Sequence, residues 1–504
     1  MIEGLTPELA LGLTLLLPGL GALVIGVADR FPNIRETASL LIATALCGTV
    51  VWLLMNYLAG ATAQLRVVQM LPGLPISFFV EPIGLIFALV ASALWIVITV
   101  YSIGYMRSKN YPHQTRFYIC FALAMASTMG IAFAGNMITL FLFYEMLTLS
   151  TYPLVLHHET DAAKRGARIY ISVLLTTSIL FFLPAIVWTW WIAGTLDFTP
   201  GGILTGKIEG PQAAILFALY LFGAGKAALM PFHFWLPAAM VAPTPVSAFL
   251  HAVAVVKAGV FTVLKVGIYI FGVGFLSETH ASEWMIWVAA VSLIIASFVA
   301  LRKDELKARL AYSTIAQLAY VTLGVSLASV MGMVGGVLQL VAHALGKITL
   351  FMCAGAIYVA SGKRNISEMR GLGRLMPFTF GAFLLAALSI IGIPPSGGAW
   401  SKWFLMIGAA DSGQQVMIGV WMLSSVLSVA YLIPVVARGF FLPLQGEKDR
   451  PQPQGQEVST ISQLRVREAP LWCVVPACIT GVLSVLIYFV GPAIAEFVLP
   501  VLGP

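Results

Sequence analysis

The sequence has few charged residues for its length. Only 10% of its 504 residues are charged and 60% are hydrophobic, whereas a soluble protein has about 25% charged residues. The mean hydropathy of +0.94 agrees with this imbalance. The composition therefore excludes a soluble globular protein and predicts an all-α polytopic membrane protein.

Cysteine patterns and cofactor motifs are also missing. The five cysteines show neither a CxxC pair nor an iron–sulfur spacing, so we interpret them as packing residues. No nucleophile constellation, phosphate loop or cofactor motif occurs, and the histidines lack acidic or cysteine partners at metal-ligand spacing. We therefore expect no cofactor, no metal and no catalysis by this chain alone. The net charge of +7 is not gathered on one soluble face, which argues against a nucleic acid partner.

The apolar runs are long enough for about fourteen transmembrane helices, numbered spans 1 to 14, of about 20 residues each. The first follows a short acidic segment without an obvious cleavage site, so we expect it to be retained. We predict the spans at residues 7–28, 36–59, 82–105, 117–134, 136–156, 167–193, 211–236, 245–272, 284–301, 308–327, 330–360, 377–410, 415–443 and 470–499.

The basic residues predict the orientation of the spans. Lysine and arginine cluster in alternate loops, whereas the remaining loops contain only Arg66 and Lys207. By the positive-inside rule, both termini are expected outside a bacterial plasma membrane, with an even number of spans. The polar segment Gln445–Glu468 is typical of a flexible inner loop before the last span.

Two proline-rich segments interrupt the helical pattern. Pro231 lies in span 7 and Pro237 directly follows it, and span 12 contains Pro394 and Pro395. Proline removes backbone donors, and non-helical backbone at bilayer depth is tolerated only where protein or water covers it. Broken spans five apart predict two inverted five-helix repeats, spans 4–8 and 9–13. The predicted parts are N-terminal spans 1–3 at residues 1–116, the first repeat at 117–275, the second repeat at 276–443, and the inner loop with the last span at 444–504.

Charged side chains at bilayer depth are the candidate functional residues. Glu145 is the acid that lies mid-span, where a charge costs at least ~2.5 kcal/mol on insertion scales. We predict that it is the counter-ion of Lys226, because a Glu–Lys pair that opens and closes would switch the lysine between holding and releasing a proton. The alternatives are a static ion pair and a protonated Glu145 bonded to a neighbouring helix.

Histidines and lysines of later spans extend this row. His251 and Lys257 lie six residues apart in span 8, on faces ~120° apart, whereas His343 and Lys347 share a face of span 11. Histidine both donates and accepts protons, so we predict a mid-membrane relay, with a packing role as the alternative for each histidine. Lys265 is expected to snorkel toward the outer surface. The predicted relay comprises Glu145, Lys226, His251, Lys257, His343, Lys347 and Lys402.

Five stretches resemble one known family. They are LFLFYEMLTLSTYPLV, GAGKAALMPFHFWLPAAMVAPTPVSAFLHAVAVVKAG, KARLAYSTIAQLAYV, HALGKITLFMCAG and IGIPPSGGAWSKWFL. They are similar to the antiporter-like subunits: D-type subunits of Mrp multisubunit Na⁺/H⁺ antiporters and proton-pumping subunits of NADH-quinone oxidoreductase and membrane-bound hydrogenases. The resemblance implies fourteen helices, inverted five-helix repeats and a Glu–Lys pair coupled to a lysine and histidine axis, and it matches all seven relay residues to family motif positions. Lys402 stands where one respiratory branch has Glu, and Ala238 stands where members often have an acid.

These observations predict a proton-translocating subunit of a multisubunit Na⁺/H⁺ antiporter, embedded in the lipid bilayer with other membrane subunits as partners. The first alternative is a proton-pumping subunit of a redox-driven respiratory or hydrogenase complex. The second is a non-conducting scaffold subunit, and the third is a stand-alone solute transporter. One mid-span carboxylate offers few oxygen ligands, so we expect protons to pass here and Na⁺ to pass through a partner chain.

Overall fold

A computed structural model of the chain describes residues 5–444 and 466–503, which form an almost entirely helical protein. Eleven helices of this part are long and apolar enough to cross a membrane. Most of the predicted inner loop Gln445–Glu468 lies outside the described residues. The helices are α1 (Pro7–Val27), α2 (Pro32–Leu58), α3 (Pro82–Ser108), α4 (Gln114–Ala132), α5 (Met137–Val155), α6 (Asp161–Thr177), α7 (Leu183–Ala193), α8 (Gly210–Gly223), α9 (Trp235–Ala238), α10 (Thr244–Ala252), α11 (Val255–Lys265), α12 (Val273–Thr279), α13 (Glu283–Arg302), α14 (Leu306–Ser326), α15 (Val330–Ser361), α16 (Leu372–Leu375), α17 (Pro377–Ile391), α18 (Gly397–Asp411), α19 (Val416–Phe441), α20 (Leu471–Leu486) and α21 (Gly491–Val498).

Each predicted span coincides with helical structure to within a few residues, which confirms the polytopic membrane fold. Span 10 is α14, and spans 7 and 12 are the two broken ones. Short π-helical segments continue two others: Ser178–Phe182 joins α6 to α7 in span 6, and Val266–Phe271 follows α11 in span 8. Such segments are rare and often occur at functional sites.

A small β-hairpin between spans 2 and 3 is absent from the sequence-based prediction. Strand β1 (Gln64–Leu71) pairs antiparallel with β2 (Leu74–Phe79). The turn between them contains Gly73 at a φ of 81°, a conformation that glycine adopts without steric cost. The hairpin is fastened to the start of span 5, because the side-chain amide of Asn136 donates to the carbonyl of Pro75 at 2.7 Å.

Spans 8 and 11 lie at the centre of the protein. The most apolar window of each is entirely buried, whereas only 39%, 28% and 39% of the windows of spans 1, 2 and 13 are buried. Consecutive helices of spans 4–8 pack on one another in the same order as those of spans 9–13. A charge on span 8 or 11 is therefore enclosed by protein, and it can only be satisfied by other protein groups or by water.

The interruptions of spans 7 and 12 are where the prolines predict them. In span 7, α8 ends at Gly223, a 3₁₀ turn covers Gly225–Ala227, and irregular backbone leads to α9. In span 12, α17 ends at Ile391 and α18 begins at Gly397. Both breaks place carbonyl groups without helical partners inside the protein, where lysine side chains can bond to them.

Candidate functional site

Lys226 lies in the break of span 7 and is fully buried. Its Nζ donates to the carbonyl oxygen of Tyr144 at 2.7 Å and to Oγ1 of Thr148 at 2.7 Å, both on α5. The same Nζ lies 3.1 Å from the centre of the Tyr144 ring. Gly259 of α11 lets span 8 approach the break, since a Cβ there would lie 2.2 Å from the backbone nitrogen of Ala227. The lysine is thus held between spans 5, 7 and 8.

The predicted contact between Glu145 and Lys226 is not closed in this structure. None of the ion pairs found in residues 5–444 and 466–503 joins the two side chains. Glu145 is close enough to interact electrostatically with Lys226, but both its carboxyl oxygens are buried without a hydrogen-bond partner in the described chain. Thr148, one turn further along α5, contacts Lys226 where the prediction placed Glu145.

His251 lies near the end of the N-terminal half of span 8. Span 8 is interrupted after it, because α10 ends at Ala252 and α11 begins at Val255. The angle of ~120° expected between His251 and Lys257 assumed a continuous helix, and that assumption is wrong. The His251 ring packs against Phe351 of span 11, with ring centres 4.9 Å apart. Within the described part of the chain, neither ring nitrogen of His251 has a hydrogen-bond partner.

Lys257 and His343 connect the two halves of the protein. Nζ of Lys257 lies 2.6 Å from Nδ1 of His343, so spans 8 and 11 share a hydrogen bond at full burial. Two positive charges at that distance repel strongly, so the pair holds at most one excess proton, on one partner or the other. When one of the two residues is protonated, its partner is therefore neutral.

Lys347 lies one turn beyond His343 on α15 and starts a hydroxyl chain. Its Nζ donates to Oγ of Ser313 at 2.6 Å and to the carbonyl of Leu310 at 3.3 Å, both on α14. Ser313 lies 2.9 Å from the hydroxyl of Tyr431 on α19. Lys347 contacts span 10 as Lys226 contacts span 5, through a backbone carbonyl and a hydroxyl of a neighbouring helix.

Two buried glutamines, which the sequence analysis overlooked, lead from span 11 toward Lys402. The amide nitrogen of Gln339 donates to Oε1 of Gln317 at 2.6 Å, and Oγ of Ser401 donates to Oε1 of Gln339 at 2.6 Å. Gln339 lies four residues before His343 and so shares its helix face, a spacing that could have identified it. The next residue after Ser401 is Lys402.

Lys402 lies in the second half of span 12 and bonds across the break. Its Nζ donates to the carbonyl of Ile391 at 2.6 Å, at the end of α17, and to Oγ of Ser425 on α19 at 2.8 Å. This lysine therefore satisfies a helix-terminal carbonyl that the break leaves free. His233 has a similar local role in span 7, with Nδ1 lying 3.2 Å from the carbonyl of Pro231.

The prediction that Lys265 snorkels to the surface is wrong. Lys265 is 1% exposed and forms an ion pair with Glu81, which is itself 3% exposed. The Nζ also lies 4.2 Å from the ring centre of Phe198 and 3.4 Å from the carbonyl of Ala134. Glu81 directly precedes α3, outside every mid-span run, so its sequence position gave no signal of burial. Residues that precede span 5 and follow span 6 thus contact Lys265.

A cavity of about 270 Å³ opens toward the relay from one membrane side. That side carries the loops rich in lysine and arginine and is named the basic side. The cavity is lined by Thr244, the first residue of α10, and by Lys307, whose Nζ donates to the carbonyls of Met240 and Ala242. Thr244 and His251 lie seven residues apart along α10, or about 10 Å at 1.5 Å per residue. The cavity thus ends about two helical turns from His251, on the basic side.

Comparison with known proteins points to one group of membrane proteins. The family model for NADH:quinone oxidoreductase/Mrp antiporter transmembrane regions matches residues 134–428. The chain is 31% identical over 390 residues to NADH-quinone oxidoreductase subunit N of Desulforudis audaxviator, covering 76% of each chain. It is 32% identical over 404 residues to a probable K⁺/H⁺ antiporter subunit from Rhizobium meliloti, covering 78% of this chain and 39% of that protein.

Two solved structures share the fold over nearly the whole chain. A chain of the Mrp complex from Dietzia matches with a TM-score of 0.81 at 22% identity, covering 98% of this chain and 97% of that one. A chain of the membrane-bound sulfane sulfur reductase, an archaeal respiratory membrane complex, matches with a TM-score of 0.83 at 22% identity and the same coverage. Both matched chains belong to membrane complexes.

Proposed function

Because this chain belongs to the NADH:quinone oxidoreductase/Mrp antiporter transmembrane family, we propose that it translocates protons within a multisubunit monovalent cation/proton antiporter. In this proposal the exchanged cation is Na⁺ and passes through a partner chain. The proton passes along Glu145, Lys226, His251, Lys257, His343, Lys347 and Lys402. The two repeats that carry it are residues 117–275 and 276–443.

The contact between Lys257 and His343 carries the proposal. The separation of 2.6 Å between Nζ and Nδ1 is a hydrogen-bond distance at full burial, so a proton can cross from the first half to the second without leaving the protein. A scaffold would gain little from placing an amine and an imidazole in this position, because each costs free energy to bury. The pair supports transport over a purely structural role.

In the first half, Lys226 alternates between two sets of partners. In the structure its Nζ is bonded to Tyr144 and Thr148, while the Glu145 carboxyl stands nearby without a partner among the described residues. Closure of the Glu145–Lys226 pair stabilises the protonated lysine, and opening it favours proton release toward span 8. The structure corresponds to the open arrangement.

In the second half, the proton leaves His343 by one of two polar routes. One runs through Lys347 to Ser313 and Tyr431, and the other runs along the Gln339 and Ser401 side to Lys402. Lys402 is bonded to the break of span 12 and is the last basic group of the row. We place proton release beyond it, on the side opposite the basic side.

The cavity of about 270 Å³ gives the row a second proton entry, from the basic side, in addition to the one at Glu145 and Lys226. The Lys- and Arg-rich loops favour that side as the cytoplasmic one, with both termini outside a bacterial plasma membrane. Protons taken up there reach His251 from below, at the interruption of span 8. At the interruption, the backbone N–H groups of Val253 and Ala254 both donate to the carbonyl of Phe249.

A redox-driven pump is the second candidate function, and the 31% identity to an NADH-quinone oxidoreductase subunit favours it. The same residues would carry protons in both cases. The difference is the driving force, which comes from a cation gradient in the antiporter and from electron transfer in partner subunits in the pump. Purifying the intact complex and testing it for flavin or iron–sulfur centres separates the two.

The test is proton flux in vesicles that contain the purified complex, measured with a pH-sensitive dye after a pulse of Na⁺, Li⁺ or K⁺. We expect Na⁺-driven flux in the wild type, its loss in Lys226→Ala and Glu145→Ala, and unchanged flux in Lys164→Ala, whose side chain is 59% exposed. Wild-type flux in both relay variants would overturn the relay. Flux driven by an electron donor with no response to cations would assign the chain to a redox-driven pump.

A further inference from the structure

A wide pocket with three arginines opens on the basic side, away from the relay. Its volume is about 1070 Å³, and it lies between the loop joining spans 1 and 2 and the loop joining spans 3 and 4. The residues that matter for its chemistry are Arg35 on α2, Arg107 near the end of α3, and Arg116 on α4. The proposed proton path uses none of them.

Neighbouring side chains fix the guanidinium groups of Arg35 and Arg107 in place. Arg35 donates to Oγ1 of Thr115 at 2.9 Å and to Oε1 of Gln114 at 3.0 Å. Arg107 donates to both carboxyl oxygens of Glu36, at 3.1 and 2.5 Å. Glu36 also lies 3.5 Å from Arg35, so one acid serves two arginines and leaves this group with a net positive charge. The pocket wall is therefore ordered and basic.

Two of these arginines retain free donors inside the protein. Nε of Arg35 and Nε of Arg116 are buried and have no hydrogen-bond partner in the described chain, and the Arg35 side chain is only 5% exposed. A buried donor without an acceptor costs about 1–3 kcal/mol. The planar guanidinium fork of an arginine matches the oxygens of a phosphate group. Asp29 also lines the pocket, and the acid paired to Arg116 is Glu159, which is 49% exposed.

A groove of about 350 Å³ with mixed polar and apolar walls adjoins the pocket, and Arg107 lines both. Its walls include Leu40 of α2, Ile103 of α3 and Trp472 of α20, and the Trp472 side chain is 58% exposed. Tryptophan is typical of the boundary between headgroups and acyl chains. The groove thus leads from the arginines toward the apolar layer, as the chain of a lipid does from its phosphate.

We propose that this pocket binds the phosphate of an anionic phospholipid, with one acyl chain in the groove. Basic pockets between transmembrane helices bind such headgroups. The lipid joins α2, α3, α4 and α20, four helices at the edge of the protein next to the relay-bearing spans. It is a structural ligand of the assembled complex and has no step in proton transfer.

The test uses the full chain in its detergent-solubilised complex, with added phosphatidylglycerol, phosphatidylcholine or inorganic phosphate. Retained lipid is counted by native mass spectrometry. We expect retention of phosphatidylglycerol over phosphatidylcholine, and about fivefold weaker retention in Arg107→Gln and in Arg116→Gln, the effect of losing one basic side chain near an anionic lipid. Arg165→Gln, an exposed arginine on the same side outside the pocket, should retain lipid like the wild type.

Thermal unfolding with each probe completes the test and confirms that the variants fold. Phosphatidylglycerol should raise the unfolding temperature of the wild type and of Arg165→Gln more than that of the two pocket variants. Equal stabilisation by inorganic phosphate would mean a free-anion site and would overturn the lipid assignment. Equal retention of both lipids would also overturn it, as would a complex that holds no lipid because a neighbouring protein fills the pocket.

Discussion

Replacing Gly259 with alanine should disrupt the Lys226 site without removing any polar group. A Cβ at this position would lie 2.2 Å from the backbone nitrogen of Ala227 and 2.3 Å from the carbonyl carbon of Lys226. Ordinary contact begins at 3.4 Å, so α11 and the break of span 7 must separate by about 1.2 Å. Both atoms belong to the backbone, and neither can rotate away.

The expected cost is about 1–3 kcal/mol of stability, the usual range for one extra methyl group in a packed interior. Transport should suffer more than stability, because a displacement of about 1 Å in a proton-transfer site costs about 100-fold in rate. Cation-driven proton flux in vesicles measures the second effect, and thermal unfolding measures the first. Gly274→Ala is the control, since nothing lies within 4 Å of a Cβ there. Wild-type flux in Gly259→Ala would refute the account of how span 8 holds the lysine.

Three further predictions concern stability. Gln339→Leu should cost about 1–3 kcal/mol in chemical denaturation, because it leaves the buried Gln317 oxygen without its donor. Lys265→Met should cost about 3–5 kcal/mol by leaving Glu81 buried and unpaired, and adding Glu81→Gln should recover most of that loss. Burial, with smaller contributions from nearby positive groups, lowers the pKa of His157, just beyond span 5, from 6.5 to about 4. Between pH 6.5 and pH 4, the unfolded chain therefore binds a proton at His157 that the folded chain does not. The free energy of unfolding should fall by up to about 3 kcal/mol as the pH is lowered through this range. His157→Asn should make the free energy of unfolding less dependent on pH in this range.

Local sequence patterns predicted the elements well but gave no distances between them. The length of the apolar runs predicted the spans, and the prolines predicted the breaks of spans 7 and 12. The break in span 8 at Val253 has no proline, and no glycine stands beside it, so it left no local signal. The hairpin did leave a local signal, the Pro72–Gly73 turn between the two strand segments, but this region was predicted to be a loop.

Partners distant in sequence could not be predicted from periodicity. Lys257 and His343 are 86 residues apart and meet because spans 8 and 11 pack at the centre of the fold. Lys265 was expected to snorkel because Glu81 lies 184 positions away, next to a helix start, and nothing in either pattern joins them. Charge alone predicted that Lys226 would be paired with Glu145, the acid that lies mid-span, whereas the structure shows that a hydroxyl and a carbonyl hold the lysine.

The contact between Lys257 and His343 is the centre of the account, and a double-mutant comparison of proton flux tests it most directly. Cation-driven proton flux should be at least about tenfold lower in vesicles with Lys257→Met, with His343→Leu and with both changes. A tenfold lower rate corresponds to an activation free energy of proton transfer that is higher by about 1.4 kcal/mol. Because both residues serve one transfer, the double variant should be no slower than the worse single variant. Losses that multiply in the double variant, or wild-type flux in either single variant, would contradict a proton path through this pair.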